Sequence, residues 1–298
     1  MRKLRIPLIL LVLLGAGLIW WTLPAPLPAR ALEGLTGDPG RGERVFWASG
    51  CASCHMAEGA KGEAQLVLSG GQRFPSDFGT FIAPNISQHA EAGIGAWTLH
   101  DLANALTRGV SRGGEHLYPA LPYASYARME LQDVADLHAF LKTLPADPTP
   151  SLPHEISFPF NLRMALGGWK LLFLNDDWAL PGNLTPTEDR GRYIAEALAH
   201  CGECHTPRNA LGGMDTSRWL AGAPDPSDPT GQGKVPNITP AKLTWSEGEI
   251  AYYLTTGFTP DFDSAGGHMV HVVENFARLP EEDARAVAAY LKRVAPVE

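Results

Sequence analysis

The residues able to do chemistry stand out by type and spacing. All four cysteines of the 298-residue chain fall in two stretches, GCASCHMAEG and HCGECHTPRN. Each stretch pairs its thiols as Cys-x-x-Cys with histidine directly after, giving Cys51, Cys54, His55 and Cys201, Cys204, His205. A shared zinc site brings two such pairs to within about 15–20 residues of each other, whereas these lie 150 residues apart. A thioredoxin-type dithiol needs no histidine after the second cysteine. Covalent haem attachment uses all three residues: two thiols add to the porphyrin vinyl groups and the histidine binds iron. Two covalently bound haem c groups are therefore expected, one per motif.

These motifs sit inside a repeat. PNIS at Pro84–Ser87 returns as PNIT at Pro236–Thr239, 152 residues on. WTLHDLANALTRGV from Trp97 returns as WSEGEIAYYLTTGF from Trp245, 148 residues on, and LQDVADLHAFLKTL returns as PEEDARAVAAYLKRV about 150 residues on. Each copy reads as helical. Thr98 with Asp101 and Ser246 with Glu249 have capping-box spacing, and Gly109 and Gly257 supply stops. Leu102, Ala105 and Leu106 share one face, as do Val134, Leu137, Phe140 and Leu141, or Val287, Tyr290 and Leu291. A further helix precedes each haem motif, over 42–49 and 190–200. Such small helical units bury little core of their own, so a covalently held haem serves as most of it.

The chain opens with the basic leader MRKLR and roughly 18 uncharged, mostly apolar residues, IPLILLVLLGAGLIWWTL. Arg2, Lys3 and Arg5 orient it with that end in the cytoplasm, and Trp20-Trp21 suit a headgroup belt. An uncleaved anchor is favoured over a cleaved signal peptide at PARALEG. The chain, with 24 basic against 32 acidic residues and no basic cluster beyond the leader, argues against nucleic acid as a partner. The expected layout is an anchor over 1–30, a first domain over 31–145, a connector over 146–185 and a second domain over 186–298. Phe158, Phe160, Trp169 and Phe173 of the connector are expected to pack between the domains.

An N-terminal helix running into CxxCH, a long loop and a C-terminal helix with an aromatic residue (Phe140, Tyr290) resemble class I c-type cytochromes. HCGECHTPRN, the PNIS/PNIT pair and HLYPALPYASY resemble more narrowly the membrane-bound multihaem cytochrome c subunits of bacterial alcohol, gluconate and aldehyde dehydrogenases. Those subunits usually carry three haems and this chain two. The resemblance implies an all-α fold of two tandem class I cytochrome c domains after an N-terminal transmembrane helix. It implies an electron-transfer protein, not an enzyme, in the bacterial inner membrane with a periplasmic body. A periplasmic dehydrogenase subunit would be the donor, and a quinone, another cytochrome or an oxidase the acceptor.

The sixth iron ligands are the open point. Met269, in a glycine-preceded loop, is the candidate for the second haem. Counting back by the Trp97–Trp245 offset puts Leu121 in its place in the first copy, and leucine cannot bind iron. Met129, His116 or no strong ligand remain, and an open first iron keeps a dihaem peroxidase or a haem-based sensor as rival readings. Arg208, just after the second motif, is a candidate partner for a haem propionate.

Overall fold

A computed structural model of the chain describes residues 13, 15, 17, 19–225, 228 and 232–298. Arg2, Lys3, Arg5 and most of the apolar run lie outside the described residues. Among those described, no helix is long and apolar enough to cross a membrane.

Helix α1 (Pro39–Ala48) starts at Asp38, whose carboxylate accepts the Arg41 amide at 2.8 Å. It ends before Gly50, whose left-handed φ of 63° turns the chain into α2 (Cys51–His55). Helix α3 (Leu99–Arg108) carries the Thr98–Asp101 capping box and stops at Gly109. A short α4 (Tyr123–Tyr126) leads into α5 (Leu131–Leu141). The connector holds α6 (Ala165–Phe173). The second copy repeats the set. Helix α7 (Pro186–Arg192) continues through a π-helical turn, Tyr193–Leu198, into α8 (Gly202–His205). Then come α9 (Glu247–Thr256), capped by Ser246–Glu249 and stopped at Gly257, α10 (Met269–Phe276) and α11 (Glu281–Arg293).

The all-α expectation needs correcting in one respect. Strands β1 (Arg73–Ser76), β2 (Gly79–Ile82) and β3 (Glu155–Ile156) form an antiparallel sheet, and β4 (Ala223–Pro224) pairs with β5 (Lys234–Val235). The tight turn Ser76-Asp77-Phe78-Gly79 closes the first hairpin, with the Ser76 hydroxyl donating to the Gly79 carbonyl at 2.7 Å.

In each copy the helix before the haem motif crosses the last helix: α1 on α5, and α7 on α11. Glycine makes both crossings possible. A Cβ on Gly42 would lie 1.9 Å from the Asp136 carbonyl oxygen, and one on Gly191 1.9 Å from that of Ala286. An Arg–Asp pair pins each crossing, Arg41 Nε to Asp136 at 2.7 Å and Arg190 Nε to Asp283 at 2.8 Å. The expected stripes are buried, with the Phe46 and Phe140 rings 5.2 Å apart and Tyr290 fully enclosed. Each such side chain contributes about 1.5–3 kcal/mol on leaving water. One apolar cluster runs through both copies.

The connector differs in part from expectation. Trp169 does bridge the copies, its ring 6.0 Å from Tyr123 and its Nε1–H donating to Leu211 O at 3.0 Å, while Phe173 lies against Gly213. Phe160 packs edge-on against Phe78 at 5.0 Å, and Phe158 points into solvent. A turn at Phe158–Asn161 separates Phe158 and Phe160 from Trp169 and Phe173 on α6, so the four aromatic residues do not enter the core together.

Candidate haem sites

Both motifs are built the same way. In α2 the thiols of Cys51 and Cys54 stand three residues apart and so share one helix face, with His55 next in line. The chain enters the second motif through His200, whose φ of 43° repeats the left-handed turn of Gly50. The His55 ring accordingly lies with Nδ1 2.8 Å from the Pro84 carbonyl, and His205 Nδ1 lies 2.8 Å from that of Pro236. A carbonyl only accepts, so Nδ1 bears the proton and Nε2 keeps a bare lone pair for a metal. Burial lowers the pKa of both imidazoles, which favours the neutral, ligating form.

This is the role of the PNIS/PNIT repeat that the sequence displayed without explaining. Its proline carbonyl orients the imidazole, and its asparagine ties the loop down. Asn85 Nδ2 donates to Asp147 O and Thr149 O at 2.9 and 2.7 Å, and Asn237 Nδ2 to Val297 O at 2.7 Å. A glycine amide closes the other side, Gly70 to His55 O and Gly222 to His205 O, each at 2.7 Å.

The four cysteines are unpaired. Solvent reaches Cys54 and Cys204, yet surrounding protein pushes Cys51 up to about 12, Cys54 to about 11 and Cys201 to about 12, with Cys204 also raised. Redox dithiols need thiols shifted the other way. Paired neutral thiols on one helix face, with a bare imidazole nitrogen beside them, fit a haem held by two thioether bonds. When bound, the haem supplies a one-electron iron couple; these residues attach it, ligate it and fix its orientation.

Met269 is the first residue of α10, half-buried and preceded by Gly266 and Gly267, the latter at φ 55°. It therefore opens a helix rather than lying in a free loop. The count that sets Leu121 opposite Met269 holds only up to this point. Bridges Val110–His116 and Phe258–Ser264 match at the Trp97–Trp245 offset, but the turns Ala127 N to Tyr123 O and Ala277 N to Val273 O match only when that offset is lengthened by two. Two extra residues thus enter beside Met269, and Leu121 corresponds to Met269 from one side and His271 from the other.

Met129 is 4% exposed, and Leu279, its counterpart, 8%; their amides make the same turn, to Tyr126 O and Phe276 O. Three residues before Met129, the Tyr126 hydroxyl donates to Ser49 O at 3.0 Å, and the buried phenol lies near Cys51 and Cys54. The His116 ring donates its Nε2–H to Thr22 O at 2.8 Å and keeps Nδ1 buried without a hydrogen-bond partner. Arg208 lies beside the second motif. Its guanidinium pairs with Glu203 of the same motif and donates to Gly212 O at 2.8 Å, because the carboxylate five residues earlier lies within its reach.

The two motifs also meet each other. Asn275 Nδ2 donates to the Ser53 hydroxyl at 2.9 Å, and the Ser125 hydroxyl donates to Glu203 Oε1 at 2.9 Å. Ser53 and Glu203 are the central residues of CASCH and CGECH, and both members of each pair are 150 residues from their counterparts. Each motif therefore leans on the helical turn that precedes the last helix of the other copy. The sulfur of Cys204 is near enough to raise the pKa of Cys54, after burial. No motif in the sequence announced this exchange; its two serines, asparagine and glutamate look like ordinary surface residues.

The helix crossings, twin CxxCH helices and proline-held imidazoles define a c-type cytochrome architecture, and a cytochrome c family model matches residues 40–145. The chain belongs to the dihaem c-type cytochromes. It is 57% identical, over its whole length and 99% of the relative, to a "Diheme cytochrome c-type" protein of Cereibacter sphaeroides. It is 36% identical over 85% of its length to a fructose dehydrogenase cytochrome subunit of Gluconobacter japonicus, and 32% identical over 85% to a gluconate 2-dehydrogenase cytochrome c subunit of Pantoea cypripedii. The chain spans 52% and 58% of those two subunits. It carries two covalently bound haem c groups and is an electron-transfer protein, not itself an enzyme.

Proposed function

We propose that the chain is a membrane-anchored electron relay with its body in the bacterial periplasm, receiving electrons from a dehydrogenase and delivering them to a quinone, a second cytochrome or an oxidase. One haem is held by Cys51, Cys54 and His55 in a domain over 31–145, the other by Cys201, Cys204 and His205 in a domain over 186–298. Met269 completes the second iron and Met129 the first. The observation that carries this reading is the pair of matched imidazole–carbonyl bonds, His55 to Pro84 and His205 to Pro236, on motif helices that contact each other's copy. Similarity to cytochrome subunits of sugar and sugar-acid dehydrogenases supports the class of donor. The basic leader and apolar run support the anchor and its orientation.

A relay keeps both irons six-coordinate. The reduced protein should therefore bind no carbon monoxide at neutral pH and should titrate in two one-electron steps. Reduced membranes should reoxidise it through their native acceptor. Rapid carbon monoxide binding at one haem together with peroxide turnover would overturn the relay in favour of peroxidase chemistry.

A further inference from the structure

The two copies treat one face differently. In the first, the extended segment Leu23-Pro24-Ala25-Pro26-Leu27 lies along α3. The Leu27 amide donates to Asn104 Oδ1 at 2.6 Å, the His100 ring N–H donates to Leu27 O at 2.8 Å, and the Leu27 side chain is buried. Together they bound a groove of about 430 Å³ that ends at Arg112 and Gly114.

The same groove exists in the second copy, about 540 Å³ in volume, walled by Tyr252, Phe258, Pro260 and Phe262. Its loop matches the first bond for bond. Ser111 N to Glu115 O corresponds to Thr259 N to Asp263 O, Gly114 N to Ser111 O to Phe262 N to Thr259 O, and Leu117 N to Gly109 O to Ala265 N to Gly257 O. Here the walls are exposed: Tyr252 57%, Phe258 49% and Phe262 92%.

Phe262 is the telling residue. It holds a φ of 63°, and its counterpart Gly114 a φ of 79°. A left-handed backbone suits glycine and strains a bulky side chain. The second copy thus places an aromatic ring in a position where it costs conformational energy and gains no burial. Asn104, the backbone clamp of the first groove, is replaced by Tyr252, and His100 by Gly248. Polar fixing of one resident strand has given way to aromatic walls, the chemistry that receives extended proline-bearing chains. Glu249 lines the groove, and Glu247, Asp261 and Asp263 sit next in sequence to its lining residues, all four exposed, so the charge around the groove favours a basic guest.

We infer that the α9 face, between Tyr252 and Phe262, docks an extended, proline-containing apolar segment with flanking basic residues from a partner polypeptide, as the chain's own Leu23–Leu27 docks on α3. The probe is a labelled peptide of the sequence TLPAPLPAR, titrated by fluorescence anisotropy into the full-length holoprotein in detergent. Saturable binding is expected. Phe262→Gly and Tyr252→Ser should each weaken it about tenfold or more, and ending the peptide in glutamate instead of arginine should weaken it too. Phe262→Gly restores the residue that the backbone prefers, so its Soret spectrum and melting should stay as in the parent. Binding that survives both substitutions, or none at all, overturns the inference. So does an association lost in Phe262→Gly that proves to be with phospholipid vesicles, or with a second copy in sedimentation, while the peptide stays free.

Discussion

Replacing Gly42 by alanine puts a methyl carbon 1.9 Å from the Asp136 carbonyl oxygen and 2.8 Å from Phe140 Cβ. Carbon and carbonyl oxygen approach to roughly 3.3 Å at closest, so α1 and α5 must part by about 1.4 Å. Separations of even 0.5–1 Å forfeit a quarter to a half of each dispersion contact. This crossing holds Val45 and Phe46 against Leu137 and Phe140, and the opposed Cβ is fixed to a helix backbone that cannot swing aside. Overpacking of this kind costs about 1–3 kcal/mol, and the displaced Arg41–Asp136 pair, whose carboxylate is fully enclosed, puts Gly42→Ala at the upper end. Gly191→Ala, with its Cβ 1.9 Å from Ala286 O, should cost about the same. Gly168→Ala on α6, where a Cβ meets nothing within 4 Å, should instead gain up to about 0.5–1 kcal/mol from helix preference. Guanidinium unfolding of the holoprotein followed at 222 nm and in the Soret band measures all three. A loss at Gly42 and Gly191 no larger than that of an ordinary surface substitution, about 0.5 kcal/mol, or a loss at Gly168 equal to theirs, would refute the argument that close helix crossing requires these glycines.

Burial works against the Asp136 charge, but the Arg41 guanidinium, the Asp38 amide and the Gln132 amide outweigh it and hold its pKa below the ordinary carboxylate range. The stability this gives is present above the unfolded-state value near 4 and lost as pH falls through the lower folded value; Asp136→Asn should flatten the acid limb of a melting-temperature profile below pH 4. Met269→Ala should abolish the weak absorption band of a thioether–iron bond and admit carbon monoxide at one haem, and Met129→Leu should do so at the other; failure of either removes that residue from the ligand set. Ser53→Ala with Ser125→Ala should slow haem-to-haem equilibration after a laser-induced one-electron pulse while leaving both visible spectra unchanged.

Much of this could be read ahead because it follows local rules. Capping boxes at Thr98 and Ser246, left-handed stops at Gly109 and Gly257, and the stripes of α5 and α11 are set within a few residues, and the structure contains them all. The haem residues are legible because thioether attachment demands fixed spacing. What escapes depends on contacts between distant parts. The carbonyls of Pro84 and Pro236 bear no side-chain signature. The crossed pairs Ser53–Asn275 and Ser125–Glu203 join residues 222 and 78 apart. A single offset matches Leu121 to Met269, although a two-residue insertion changes the register inside that very loop. Composition alone assigns Phe158 to the core, and its place on a surface turn leaves it outside.

Glu203 carries the argument furthest toward function, because it turns a shared scaffold into two unlike sites. Its counterpart Ser53 is neutral, so only the second motif bears a charge at its centre. After burial, Glu203 raises the Cys204 pKa while Arg208 lowers it, which means that two opposite charges act on the same attachment point. Removing one exposes the other. Glu203→Gln leaves Arg208 unopposed and should raise the second haem's potential, since a nearby cation disfavours the ferric state; Arg208→Gln leaves Glu203 unopposed and should lower it. At an effective dielectric of about 20 and separations on the order of 10 Å, a unit charge shifts a potential by some tens of millivolts, less where solvent screens it. Paired potentiometric titrations of the two variants decide the matter. Shifts of the same sign, or shifts confined to the first haem, would refute the argument that these two opposed charges set the second haem's potential.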